Sequence, residues 1–166
     1  SGKDASGNNY TVTLPQKNSS QIYTTYGFLQ YAKGAVVKDM KIVIPKGINK
    51  DGRTTIKTDG AAGGVIGCIL GGDNIIDHVE VSGEFSLVPN STGFIFAAVG
   101  GYVGLVKRGG LNLRNVSLES DLGTFTLYKN EEEINDSCSN RDIIYYVGAV
   151  CGRVEDGYVL YEGASD

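Results

Sequence analysis

The chain of 166 residues carries a formal net charge of −4 and a pI near 5.0, which argues against nucleic acid, a partner that wants a basic face. No apolar run approaches the ~18–20 residues of a membrane-spanning helix, and the length suits one domain with a core of its own. Glycine, at 24 residues, is about twice its usual share, so many positions call for tight turns or close backbone approach.

The three cysteines, Cys68, Cys138 and Cys151, are an odd set and not a disulfide framework. Cys68 and Cys151 read as buried thiols, and a Cys138–Cys151 bridge stays open as an alternative. There is no CxxC and no His/Cys cluster, so no metal is expected, and no cofactor motif appears. No secretory leader is recognisable and Ser1-Gly2 reads as a tag remnant, which leaves the compartment to be inferred.

In chain order, residues 1–9 are polar and expected to fray. Residues 10–26 hold two short strand candidates, Tyr10–Leu14 and Gln21–Tyr26, and read as a capping coil. A repeat then begins. Ala62–Gly83 (AGGVIGCILGGDNIIDHVEVSG) recurs at Val99–Leu118, more loosely at Tyr26–Ile44, and in clipped form at Val147–Tyr161. Aligned on Gln30, Gly67, Gly104 and Gly152, the copies step by 37, 37 and 48 residues. Periods of this size are the signature of stacked repeats.

Each copy divides into three strand candidates. The first places Phe28, Val65, Tyr102 and Val150 two residues before the aligned position, and Ala32, Ile69, Val106 and Val154 two after. With a side-chain period of two, these rows and the glycines between them should face inward. The next row, Tyr31, Cys68, Leu105 and Arg153, should face out. The second strand carries the trios Val37, Met40, Ile42; Ile76, Val79, Val81; and Leu113, Val116, Leu118, of which the last two alternate and should face inward, with Asp39, His78 and Asn115 just before them facing out. The third is Thr54–Thr58, Glu84–Val88 and Gly123–Tyr128. Gly71-Gly72, Gly109-Gly110 and Gly157 mark the corner between the first two. No stripe of period 3.6 appears, so helix is not expected. The expected fold is all-β: a single-domain parallel β-helix, right-handed by the usual chirality of parallel crossovers, with about four three-strand coils. Its regular coils span residues 27–128, and residues 143–166 form the last coil and cap.

The period breaks once, at residues 129–142 (KNEEEINDSCSNRD), a long polar loop leaving one corner. A shorter outcrop, Pro89–Phe96, leaves the same corner one coil earlier. Loops on a rigid scaffold are where function collects.

The search for catalytic groups finds Asp39, Asp77, Glu80 and His78 near the second strands, with Asn115 in the same column. No nucleophile motif, EF-hand, calcium repeat or phosphate loop accompanies them, and a polar outer wall is the plainer reading. The aromatics say more. A tyrosine offers a sugar both a flat apolar face and a hydrogen-bonding tip. Tyr31, Tyr128, Tyr145, Tyr146 and Phe94 fall near the outward faces and the two loops. With Asp39, His78 and Asn115 they are the candidate carbohydrate-binding residues. The competing reading is that these rings pack the loop bases.

The pattern carried by Gly63, Gly64, Gly67, Gly72, Ile76, Val81 and Gly83, and again by Gly100, Gly101, Gly104, Gly109, Leu113 and Leu118, resembles the GLUG-type glycine-rich repeat of bacterial surface and secreted proteins. Gln30 departs from it in the first copy. In length and repeat content the chain also resembles the β-helical carbohydrate-binding modules attached to bacterial xylanases. That resemblance implies a non-catalytic module binding xylan or a related plant polysaccharide, secreted or at the cell surface, and covalently joined to a glycoside hydrolase. It implies no nucleic acid and no membrane as partner. The alternative is a structural or adhesive segment of a cell-surface protein. A small polysaccharide lyase or hydrolase is the third class.

Overall fold

A computed structural model describes residues 2–15, 23–44, 55–83, 86–88, 96–116, 126–127 and 144–162. The protein is all-β, and no helix occurs among the described residues. Its strands are β1 (Tyr10–Thr13), β2 (Tyr23–Tyr26), β3 (Leu29–Lys33), β4 (Val36–Ile44), β5 (Thr55–Gly63), β6 (Ile66–Gly71), β7 (Asp73–Gly83), β8 (Ser86–Val88), β9 (Phe96–Gly100), β10 (Val103–Arg114), β11 (Thr126–Leu127), β12 (Ile144–Gly148) and β13 (Cys151–Glu162). They form a seven-stranded and a six-stranded sheet, and together they curl into a half-barrel around one core.

Every pairing between named strands is parallel, and each joins equivalent segments of successive repeats. One ladder stacks β3, β6 and the first halves of β10 and β13, with Ala32, Ile69, Val106 and Val154 in one row. A second stacks β1, β4, β7 and the second halves of β10 and β13, with Val37, Ile76, Leu113 and Tyr161 in one row. A third stacks β2, the end of β5, β9 and β12 through Tyr26, Ala62, Val99 and Val147. The start of β5, with β8 and β11, makes a fourth through Ile56, Leu87 and Leu127. The spacing of 37, 37 and 48 residues is therefore the spacing of neighbours across the first ladder; the second and third depart from it by two residues and one in the first step, and the fourth steps by 31 and 40.

The rows that face the core are apolar because each strand has only one side to hide. Ile69, Val106, Ile76, Leu113, Val65 and Tyr102 are fully buried. Exposure rises at the two ends of the rows, where stacking stops: Val154 is 42% and Phe28 37% exposed.

Strict alternation fails in the second ladder. Val37 and Met40, Ile76 and Val79, and Leu113 and Val116 all turn inward although three residues apart. The residues that absorb the extra step are Asp39, His78 and Asn115, with φ of 53°, 51° and 48°. One left-handed residue bends the strand and resets its phase. Asp, Asn and His tolerate that conformation better than most side chains.

A second departure concerns the row Tyr31, Cys68, Leu105 and Arg153. It leaves the main core as expected, but Cys68 and Leu105 are buried with Ala61 and Ala98 in a separate small cluster, against which Tyr146 packs. The first and third ladders lie close enough for outward side chains of one to cover those of the other. Cys68 is buried and Cys151 half-buried, and both are free thiols. Burial pushes both thiols up from their ordinary pKa.

Two polar details hold the tiers together. Asn74 is fully buried; its carbonyl accepts from Ala35 N at 2.9 Å and its amide donates to the carbonyls of Gly71, Gly72 and Gly110, each at 3.1 Å. One side chain thus satisfies backbone groups of three successive repeats, at the cost of no unpaired polar atom of its own. Gly2–Asn9, where fraying was expected, form a turn: Asp4 Oδ1 accepts from Ser6 N and Asn8 N, and Lys3 bridges Asn9.

The aligned glycines are sites of backbone approach. A methyl group on Gly104 would lie 2.6 Å from Ala62 N and 2.7 Å from Gly67 O, and neither atom can swing aside. Gly34, by contrast, has a φ of +70° and nothing within 4 Å of where a methyl group would sit. Gly104→Ala is therefore expected to cost ~3 kcal/mol or more as overpacking against backbone, while Gly34→Ala costs only the ~1–2 kcal/mol of a left-handed residue. Urea unfolding of the two variants measures the difference, and equal costs would contradict the close approach.

Candidate functional site

The outer wall formed by β4, β7, β10 and β13 carries side chains in regular rows. Nearest the corner glycines is the row Asp73, Gly110, Tyr158. The Tyr158 ring lies over Gly110, where any side chain would run into the ring, and its hydroxyl donates to Asp73 Oδ1 at 2.7 Å. That bond raises the Tyr158 pKa above its ordinary value. The ring is thus anchored at its tip and seated on bare backbone, yet Tyr158 remains 42% exposed. Beside it runs the row Val36, Ile75, Asn112, Leu160, mostly apolar and exposed at Val36 and Leu160.

The next outward row is Lys38, Asp77, Arg114, Glu162, which alternates in charge. Lys38 Nζ is 3.3 Å from Asp77 Oδ2, and Arg114 Nε is 3.1 Å from Glu162 Oε2. Asp77 is the centre of a polar knot. Its Oδ1 accepts from Asn115 Nδ2 at 2.9 Å and lies 2.9 Å from His78 Nδ1. The Asn115 hydrogen bond, helped by Lys38 and His78, holds the Asp77 carboxyl below its ordinary pKa against the opposing effect of burial.

Asp39, His78 and Asn115 therefore do share one column, as read from the sequence, and they adjoin this knot. Lys3 Nζ lies 3.8 Å from Asp39 Oδ1. The His78 side chain is 57% exposed and its one polar partner among the described residues is Asp77. An Asp–His pair can orient an imidazole, but covalent chemistry also needs a nucleophile in hydrogen-bond reach, and none of the described residues supplies one to His78. Among the described residues no group of three His, Cys, Asp or Glu side chains is placed to hold a metal ion. The wall is equipped for hydrogen bonding and stacking.

Of the aromatic candidates, the two whose side chains are described, Tyr31 and Tyr146, do not share one corner. Tyr31 is 51% exposed, and its hydroxyl accepts from Thr25 Oγ1 at 2.9 Å. Tyr146 is half-buried, with the Arg153 guanidinium 4.6 Å from its ring centroid. The two stand at opposite ends of the small cluster of Cys68 and Leu105, three strand spacings apart, or on the order of 14 Å. Tyr145 lies in β12 opposite Ala97, and nothing is described of its side chain. Tyr128 and Phe94 fall outside the described residues, as does the loop at 129–142.

Sequence reasoning passed over Tyr158. The signal was available: the repeat alignment sets Tyr158 in one row with Gly110 and Asp73, a large ring beside a bare position and a carboxylate. It also treated Asp39, His78 and Asn115 as outward strand residues, although the three-then-two spacing of the inward trios marks a bend at those positions.

No family model matches the chain, and no curated protein or solved structure is significantly similar to it.

The left-handed φ gives the column a structural role that can be separated from any ligand role. His78→Gly is expected to leave stability unchanged within ~1 kcal/mol, because glycine adopts φ > 0 freely. His78→Val is expected to cost ~1–2 kcal/mol or more. Thermal unfolding of both variants checks this, and a tolerated valine would contradict the bend.

Proposed function

We propose that the curled ladders are a short right-handed parallel β-helix of about four coils, and that its outer wall binds plant cell-wall polysaccharide without catalysis. Stacking in parallel register at the repeat spacing supports the first part, together with the rule that parallel crossovers turn right-handed. The second part rests on Tyr158. A ring pinned at its hydroxyl and backed by glycine presents one fixed face, and a fixed face loses little entropy when a sugar stacks on it. Asn112 and Asp73 lie beside it to take hydroxyl hydrogen bonds, and the column of Asp39, His78 and Asn115 continues the polar wall about five residues further along, on the order of 16 Å. Xylan is the first ligand to try, on the resemblance in length and repeat content to modules of bacterial xylanases. On this reading the protein is secreted or at the cell surface and targets an attached glycoside hydrolase.

Affinity electrophoresis against soluble xylan and β-glucans tests the proposal. Retardation is expected, with about a tenfold loss of affinity for Tyr158→Ala and folding retained by circular dichroism. No retardation on any plant glycan, or undiminished binding by the variant, would overturn it.

A further inference from the structure

Tyr158 reaches across three tiers of the wall, a tier being the strands of one repeat. It starts in β13, lies over Gly110 of β10, and its hydroxyl donates to Asp73 Oδ1 of β7 at 2.7 Å. The Asn112 side chain hydrogen-bonds the same hydroxyl. The one hydroxyl proton is therefore committed to the carboxylate. A ligand stacked on the ring meets an apolar face and, at its tip, Asp73. An ionised carboxylate accepts hydrogen bonds and donates none.

The charged rows beside the ring are arranged differently. On β13, Asp156 precedes Tyr158 by two residues and Glu162 follows it by four, so the period of two sets all three on the outer face. Arg108 and Arg114 stand directly opposite these acids on β10. Arg108 Nε lies 3.9 Å from Asp156 Oδ2, and Arg114 Nε 3.1 Å from Glu162 Oε2. Further along, Lys38 Nζ lies 3.3 Å from Asp77 Oδ2. In each of these rows acid faces base. Asp73 instead faces Gly110 in its own row and gives its short hydrogen bond to a neutral hydroxyl. The carboxylate nearest the stacking face is thus partnered there by a group with no charge to offset it.

A neutral sugar and the corresponding uronic acid offer a ring the same C–H groups. They differ in the substituent at the rim. A free hydroxyl there donates to Asp73. A carboxylate cannot donate and is set against a like charge, which weighs heavily at a contact surface.

We infer that Asp73 makes the Tyr158 site selective for uncharged stretches of glycan with free hydroxyl groups, and that it turns away stretches carrying uronic acid. The inference rests on the glycan-binding reading and names the class of glycan within it. Tyr158 supplies attraction that is blind to charge. Asp73 supplies the repulsive element against the wrong ligand, from which specificity arises.

The probe is one polymer in two forms: a xylan bearing uronic acid side groups, and the same xylan after its carboxyl groups have been reduced to alcohols. Each is titrated calorimetrically into the whole protein at low and at high salt. The reduced form is expected to bind about tenfold more tightly at low salt, and the gap should narrow at high salt, which screens exposed charges. In Asp73→Asn the carboxamide oxygen can still accept from Tyr158, and the ratio of the two affinities should fall to about one. Equal binding of the two forms by the unaltered protein at low salt overturns the inference and leaves the glycan-binding reading standing. So does a ratio that Asp73→Asn fails to lower. If neither form binds, the inference falls, and the glycan-binding reading is decided by the β-glucans tested alongside. The two-polymer comparison on the unaltered protein is decisive even if the variant does not fold.

Discussion

Gly104 brings its Cα against the backbone of Ala62, and Gly67 and Gly152 make the same approach one tier to either side. These contacts draw the first and third ladders together until outward-facing Cys68 and Leu105 are sealed against Ala61 and Ala98. They also require each repeat to sit directly over the last, since a shift by one residue would drive a side chain into neighbouring backbone. Hydrophobic burial supplies most of the stabilisation, as in any such fold, and it already opposes a one-residue slip, which would turn the inward rows of Ile69 with Val106 and Ile76 with Leu113 outward. The glycines add a steric bar to the same slip.

Register in turn organises the surface. Because equivalent residues of successive repeats are neighbours, any side chain that recurs becomes a row. A left-handed residue in each repeat becomes a column of bends at Asp39, His78 and Asn115. Charges that alternate between repeats become a ladder of opposite pairs. One irregular substitution, Tyr158 in a row with Gly110 and Asp73, becomes a ring lying across a gap and bonded to the far side. Buried Asn74 uses the same arrangement inside, reaching backbone groups of three repeats from one position. The outer wall is rigid for the reason the core is: both are made from the same stacked backbone.

Most of the architecture was legible because it is written as a period. The alignment of Gln30, Gly67, Gly104 and Gly152 coincides with the observed pairing, and the parallel all-β class follows from it. What the repeat pattern hid were the places where two ladders meet. Cys68 and Leu105 alternate correctly with their inward neighbours, so nothing local says that a second sheet covers them. The bend at His78 was visible only as three-residue spacing between inward side chains, which simple alternation overlooks. The candidate site was less legible. Asp39, His78 and Asn115 were found as a column, but residue type alone cannot separate a bend from a ligand contact, and both use Asp, Asn and His. Tyr31 was chosen for its outward row and Tyr146 for its place where the long loop returns, and the cluster of Cys68 and Leu105 lies between them.

The central claim is that residues of successive repeats are direct neighbours in parallel strands. A nuclear Overhauser spectrum of the uniformly labelled protein tests it most directly. The account predicts cross-strand contacts from Val106 to both Ile69 and Val154, and from Leu105 to both Cys68 and Arg153. Absence of the Ile69–Val106 contacts, or contacts pairing β6 antiparallel with β7 as a local hairpin, would contradict it.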